Sequence, residues 1–259
     1  MNQVYFIGAG PGDPQLLTLQ GAAALQRSAV VYLQLPYDET FAEPLAGKQV
    51  LIPFDYDFAE LVTLIEHQLN SAPVAFLIPG DLTFYSPFQG LINHFSDRAE
   101  VLAGVGVANA ASARLKTTFD LPSVCNRALI VSPKTLGDKD DSPKLEELAA
   151  PGVSLLIYMN NLPLPQLVDK LRKGYGANVP IALLHRLGLP DEKIIEATLD
   201  SIVSACRGYD YFYLDEPEKK PALTFVVVGE TLRAEVDSRW WDCRRKTSWQ
   251  QRKGMIGPS

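Results

Sequence analysis

Short, unbroken apolar runs alternate along this chain with segments whose apolar residues recur at helical spacing, and few architectures accommodate that rhythm. A strand buried on both faces reads as a continuous apolar run, because both rows of its side chains meet other layers. Such runs, separated by amphipathic helices, predict an α/β fold with mostly parallel strands. Residues 4–7, 29–33, 50–52, 74–78 and 100–102 read as strands of a first unit, with helices over 16–27, 58–70, 88–97 and 108–115. Residues 128–132, 154–159, 181–184 and 223–228 read as strands of a second, with a helix over 164–173 and a charged, exposed stretch at 136–147. Boundaries are expected near residues 119 and 232, giving two α/β domains, 1–118 and 119–232, and a tail, 233–259.

At 259 residues the chain can bury its cores without covalent staples. A formal charge of −6 argues against sequence-independent nucleic-acid binding, which needs excess basic charge against phosphates. Three widely spaced cysteines (Cys125, Cys206, Cys243) with no CxxC point to a reducing compartment and to no metal cluster. No run approaches the roughly 18 apolar residues of a membrane helix, and the opening residues lack a signal-peptide pattern. A soluble, cytoplasmic protein without a membrane partner is expected.

Two loops carry the functional signal. Gly8-Ala9-Gly10-Pro11-Gly12-Asp13-Pro14 follows the first strand, where a dinucleotide-binding loop would stand. That fingerprint needs GxGxxG opening a helix and an acid about 20 residues on. Here the spacing is GxGxG, Pro11 and Pro14 remove N–H donors, and the second strand ends at Leu33 without an acid. A loop this rich in Gly and Pro is stiff and bare, so its backbone can lie along a ligand that is flat or uncharged. Pro79-Gly80-Asp81-Leu82-Thr83-Phe84-Tyr85-Ser86 has the same character after another strand. Loops at the carboxyl ends of parallel strands are where open α/β sheets bind ligands, and Asp81 is suited to a ribose or an amine.

These loops resemble the opening signature of the tetrapyrrole methylases, together with Leu16-Leu17-Thr18-Leu19-Gln20-Gly21 and Ala29-Val30-Val31-Tyr32. Further likenesses follow in order: Pro79-Gly80-Asp81, the 104–111 segment Gly-Val-Gly-Val-Ala-Asn-Ala-Ala, Tyr158-Met159, Val179-Pro180-Ile181-Ala182, and Pro221-Ala222-Leu223 through Gly229-Glu230. Within the family, 74–77, 84–88 and 184–194 look most like the branch that methylates C20 of precorrin-2 or cobalt-factor II. Pro190-Asp191-Glu192-Lys193-Ile194 also occurs in the C11 branch.

The resemblance implies two α/β domains with a ligand cleft between them, in a homodimer. It implies S-adenosylmethionine as methyl donor, S-adenosylhomocysteine as product, and a corrin precursor as substrate. Carried over by position, donor contacts fall to Pro11, Pro79, Gly80, Asp81, Phe84, Ala108, Asn109, Met159, Ala182 and Leu187, with Ala222 nearby. Substrate contacts are expected from Tyr85, His185 and Arg114; no histidine stands in an obvious catalytic arrangement, the catalytic residues are left unassigned, and no metal site is expected. The tail holds seven basic residues against three acids and all three tryptophans, Trp240, Trp241 and Trp249. That pattern leaves open a methylase of the same fold acting on RNA or protein, and the altered loops leave open a catalytically silent binding module.

Overall fold

In a computed structural model the chain is described over residues 2–82, 86–136, 142–214 and 221–253, except the side chains of Gln251 and Lys253. Five parallel strands form the first sheet: β1 (Val4–Gly8), β2 (Val30–Leu33), β3 (Gln49–Leu51), β4 (Val74–Ile78) and β5 (Ala99–Leu102). Their order across the sheet is β3-β2-β4-β1-β5, so β4 and β1 lie inside it and are buried along their full length. One face carries Phe6, Tyr32 and Phe76 in register, with ring centroids 5.0 Å (Phe6–Phe76) and 4.6 Å (Tyr32–Phe76) apart. The other carries Tyr5, Ile7, Val31, Leu33, Ala75 and Leu77.

Helices cover both faces. α1 (Leu19–Arg27) covers one; α2 (Phe58–Leu69) and α3 (Gln89–His94) cover the other, with Leu61, Ile65 and Leu91 buried against the aromatic row. α2 opens on a reciprocal cap between Asp57 and Glu60. The first helix begins later than its periodicity predicts. Asp13 accepts from the Gln15 amide and Pro14 opens a short 3-10 turn, so α1 waits for Thr18, whose hydroxyl caps the Gly21 amide at 3.1 Å.

α4 (Val107–Leu115) follows β5 and carries the chain to the second sheet. This sheet contains β6 (Arg127–Val131), β7 (Val153–Ile157), β8 (Pro180–His185), β9 (Lys193–Thr198) and β10 (Thr224–Val228), ordered β6-β7-β10-β8-β9. Only β6 and β7 run parallel; β10 is antiparallel to β7 and β8, and β9 to β8. The expected mostly parallel arrangement therefore holds in the first sheet and not here. β9 went unread as a strand because it is a half-exposed edge, where polar residues interrupt the apolar run.

One face of the second sheet packs on α5 (Leu145–Leu148), α6 (Leu164–Tyr175) and α7 (Ile202–Ala205). Leu145 is buried there, against the expectation of a wholly exposed 136–147 stretch, of which 137–141 lie outside the described residues. The opposite face packs on α4, where Ala110 and Ala111 meet Leu156, Ala182, Leu184, Phe225 and Val227. Small residues let that helix approach the second sheet closely. After β10 the tail forms α8 (Arg239–Arg244), which continues through a π-turn to Lys253 and buries no side chain in α8. No helix of the described residues is long and apolar enough to cross a membrane.

Candidate active site

The carboxyl ends of β1, β4 and β5 deliver loops 8–14, 79–82 and 103–106 to one place. The first two are joined backbone to backbone: the Gly10 amide donates to the Gly80 carbonyl at 2.9 Å, and the Gly80 amide returns the bond to Gly10 at 2.8 Å. The Ala9 amide donates to Ile78 at 2.8 Å. The third loop is pressed into this pair, since a Cβ on Gly104 would lie 2.3 Å from the Gly80 carbonyl oxygen and 2.6 Å from the Gly8 Cα. The bareness of the loops is thus a steric requirement.

Two side chains from the segment after β2 hold the first loop from behind. The Tyr37 hydroxyl donates to the Gly10 carbonyl at 2.6 Å, and the Thr40 hydroxyl donates to Gly12. Burial pushes the Tyr37 phenol well above its ordinary pKa, so it stays a neutral donor. On the far side the loop meets the second sheet: a Cβ on Gly12 would lie 2.7 Å from the Leu187 carbonyl, and one on Gly188 would lie 2.5 Å from the Asp13 amide.

In front, the geometry opens. Gly80 adopts φ +69°, and a Cβ there would find nothing nearer than the Val107 amide at 3.8 Å. The Asp81 carboxylate stands next to the start of α4, with Oδ2 3.8 Å from where a Gly106 Cβ would stand. A side-chain-free wall, a carboxylate and the first turn of α4 suit a ribose, whose hydroxyls need an acceptor beside close backbone. The residues present therefore fit a nucleoside donor.

The second sheet contributes strand ends. β10 is antiparallel to β7 and β8, so its beginning lies beside their ends. Met159, Arg186 and Leu223 stand at those three termini, at φ +48°, +51° and +48°. Left-handed backbone costs a non-glycine residue roughly 1–2 kcal/mol, so three at one sheet end mark a strained rim. Met159 and Ala222 are half-buried on that rim and Leu187 is buried beside Gly12. Ala108 and Asn109 start α4 next to Asp81. Ala182 sits deeper, fully buried in mid-strand opposite Val227. Phe84 and Tyr85 lie outside the described residues.

Two expected substrate contacts have side-chain partners within the protein. Arg114 pairs with Glu192 through Nε at 2.9 Å, tying α4 to the β8–β9 loop. His185 is buried on the α6 face of the second sheet, in a group of Tyr209, Tyr211 and Tyr213, because alternation along β8 sends it opposite to Ala182 and Leu184. Its Nδ1 is 2.8 Å from the Thr224 hydroxyl and its Nε2 is 3.1 Å from the Tyr213 hydroxyl. The Thr224 hydroxyl donates to the Tyr211 carbonyl, so it can only accept from Nδ1–H, which leaves Nε2 as acceptor. Burial pushes the His185 pKa down to about 4, against the opposing pull of Asp191, and the ring is neutral at pH 7. Tyr37, Thr40 and Arg186 went unassigned from sequence; their one signal is position just after β2 or β8.

With this geometry in hand, the model of the Tetrapyrrole (Corrin/Porphyrin) Methylases matches residues 3–203. The chain belongs to that family. It is accordingly a methyltransferase whose methyl donor is S-adenosylmethionine. It is 28% identical over 237 residues to the precorrin-4 C(11)-methyltransferase of Pseudomonas aeruginosa, covering 90% of this chain and 91% of that one. To the cobalt-precorrin-4 C(11)-methyltransferase of Methanocaldococcus jannaschii it is 27% identical over 237 residues, covering 89% and 88%. Among solved structures, that of a cobalt precorrin-4 methyltransferase superposes with a TM-score of 0.73 at 21% identity, covering 90% of this chain and 96% of that one, which shows the shared fold. These relatives carry C11 in their names, not the C20 expected from 74–77 and 184–194. Residues 74–77 are core residues of β4, at most 1% exposed, and 184–187 are buried as well, whereas 190, 191 and 193 are exposed; of the third segment, 84–88, residues 84 and 85 lie outside the described residues.

Proposed function

We propose that the chain transfers a methyl group from S-adenosylmethionine to C11 of precorrin-4, or of its cobalt form, in cobalamin biosynthesis. The observation that carries this reading is the C11 specificity named for both relatives, each matched over about nine-tenths of this chain. When bound, the donor supplies an electrophilic methyl on a sulfonium sulfur. The chain's part is alignment. Gly80 leaves room for the nucleoside and Asp81 accepts from its ribose hydroxyls, while the backbones of Pro11, Pro79 and Ala222 and the side chains of Met159 and Leu187 close around it. Holding two reactants in line can contribute about 7–11 kcal/mol without a nucleophilic side chain.

The tail supports a second reading, methylation of RNA: Trp240, Trp241 and Trp249 are exposed on a helix that also carries Arg239, Arg244 and Arg245. Incubation with carbon-13 methyl donor and, in parallel, precorrin-4, precorrin-2 and RNA separates the readings. Carbon-13 NMR is expected to place label at C11 of precorrin-4. Label only at C20 of precorrin-2 restores the other branch, label only in RNA removes the tetrapyrrole, and donor binding with no transfer leaves a silent module. We further assign a cytoplasmic homodimer with domains 1–118 and 119–232; light scattering of the purified chain tests the dimer.

A further inference from the structure

Arg186 follows β8 and is 4% exposed. Its guanidinium reaches three segments far apart in sequence. Nε donates to Asp191 at 2.6 Å, Nη2 to Glu39 at 2.8 Å, and Nη1 to the Pro221 carbonyl at 3.4 Å. Its backbone amide donates to Leu223 at 3.4 Å, with φ held at +51°. Each partner segment carries part of the cleft. Glu39 closes the 3-10 turn Tyr37–Glu39, whose Tyr37 holds Gly10 and whose neighbour Thr40 holds Gly12. Asp191 lies in the loop in which Leu187 and Gly188 press on Gly12 and Asp13. Pro221 and Leu223 flank Ala222.

We infer that Arg186 is a positioning residue for the methyl donor, clasping the loop after β2, the β8–β9 loop and the entry to β10 around loop 8–14. The inference rests on the donor reading of the cleft and is independent of which tetrapyrrole is methylated. A guanidinium has three divergent donor directions fixed in one plane, and lysine offers a single point charge. Both carboxylates remain partly in water, at 25% (Glu39) and 53% (Asp191) side-chain exposure, so the ion pairs add little net stability and their consequence here is geometric. Arg186 touches the donor through no atom of its own; it sets where Gly10, Gly12, Leu187 and Ala222 stand.

Calorimetric titration of the full chain with S-adenosylhomocysteine, with Tm measured alongside, tests this. Arg186→Gln and Arg186→Lys are both expected to weaken binding roughly ten- to hundredfold, the scale set by ångström-level misplacement of a site. Glu39→Gln, near-isosteric and at the cleft rim, is expected to act in the same direction without unfolding the chain, and to add little in the Arg186→Gln background. Val168→Ala, in the distant α6 core, is expected to lower Tm and leave affinity unchanged. Wild-type affinity in Arg186→Lys or Glu39→Gln, or an affinity loss in Val168→Ala that matches that of Arg186→Gln for an equal fall in Tm, overturns the positioning role. Absence of binding by the unaltered chain overturns the donor reading itself.

Discussion

Gly10 and Gly80, on loops from different strands, exchange both of their backbone hydrogen bonds, at 2.9 and 2.8 Å. This miniature antiparallel pair joins the two loops that the sequence marks as bare of side chains. It also fixes their spacing, because neither loop can shift without breaking both bonds.

Gly104 fills the space under that pair, and alanine there has no room: its Cβ would meet the Gly80 carbonyl at 2.3 Å. Backbone on every side prevents local repacking. Gly104→Ala is expected to destabilise the chain by about 1–3 kcal/mol, as overpacking does. Urea denaturation should show a lower midpoint with an unchanged slope, and calorimetry should show weakened S-adenosylhomocysteine binding. Unchanged values for both would mean that the three loops are not packed as described.

Asp81 stands next to the start of α4, where a ribose would lie. A hydrogen bond to a charged acceptor is worth about 1.5–3 kcal/mol, so Asp81→Asn is expected to weaken S-adenosylhomocysteine binding about tenfold or more. The substitution preserves shape, and Tm should barely move. Full retention of affinity would place the ribose elsewhere.

His185 gives stability a pH dependence whose sign follows from its burial. Its folded pKa, about 4, lies below the ordinary value of 6.5. The unfolded chain therefore binds the proton more readily, and the group's contribution is complete above pH 6.5 and lost as pH falls through 4. Protonation would also put a hydrogen on Nε2 facing the hydroxyl hydrogen that Tyr213 donates. Between pH 6.5 and 4 the slope from this one group approaches ~1.4 kcal/mol per pH unit. Stability curves of the unaltered chain and of His185→Asn should diverge in slope across that window and run parallel above it.

The tail helix α8 buries no side chain. A segment so exposed adds little to the fold of the rest. Ending the chain after Asp237 is expected to leave Tm and donor affinity unchanged. A fall in either, together with a change in molar mass by light scattering, would reveal the tail as part of a subunit contact.

Several features could be read before any coordinates. The runs at 4–7 and 74–78 had to be inner strands, because unbroken apolar stretches of that length belong to sheets covered on both faces. The composition of loops 8–14 and 79–82 announced bends built from backbone, and the Gly10–Gly80 pair joins them. Helices over 58–70 and 164–173 followed from periodicity. The edge strand β9 did not, since half exposure lets polar residues break the pattern that identifies a strand.

Local pattern determined the strands, the helices and the bareness of the loops, because each depends on residues close in the chain. Tertiary structure alone decided which side chains face the cleft. Ala182 and His185 are three residues apart on β8, so a strand's alternation must send them to opposite faces, but only the packing of α4 says which face is inner. Arg186 reaches Glu39 across 147 residues, and the exchange between Gly10 and Gly80 spans two loops. Such contacts depend on how layers stack, and stacking is a property of the assembled sheets that short-range pattern does not encode.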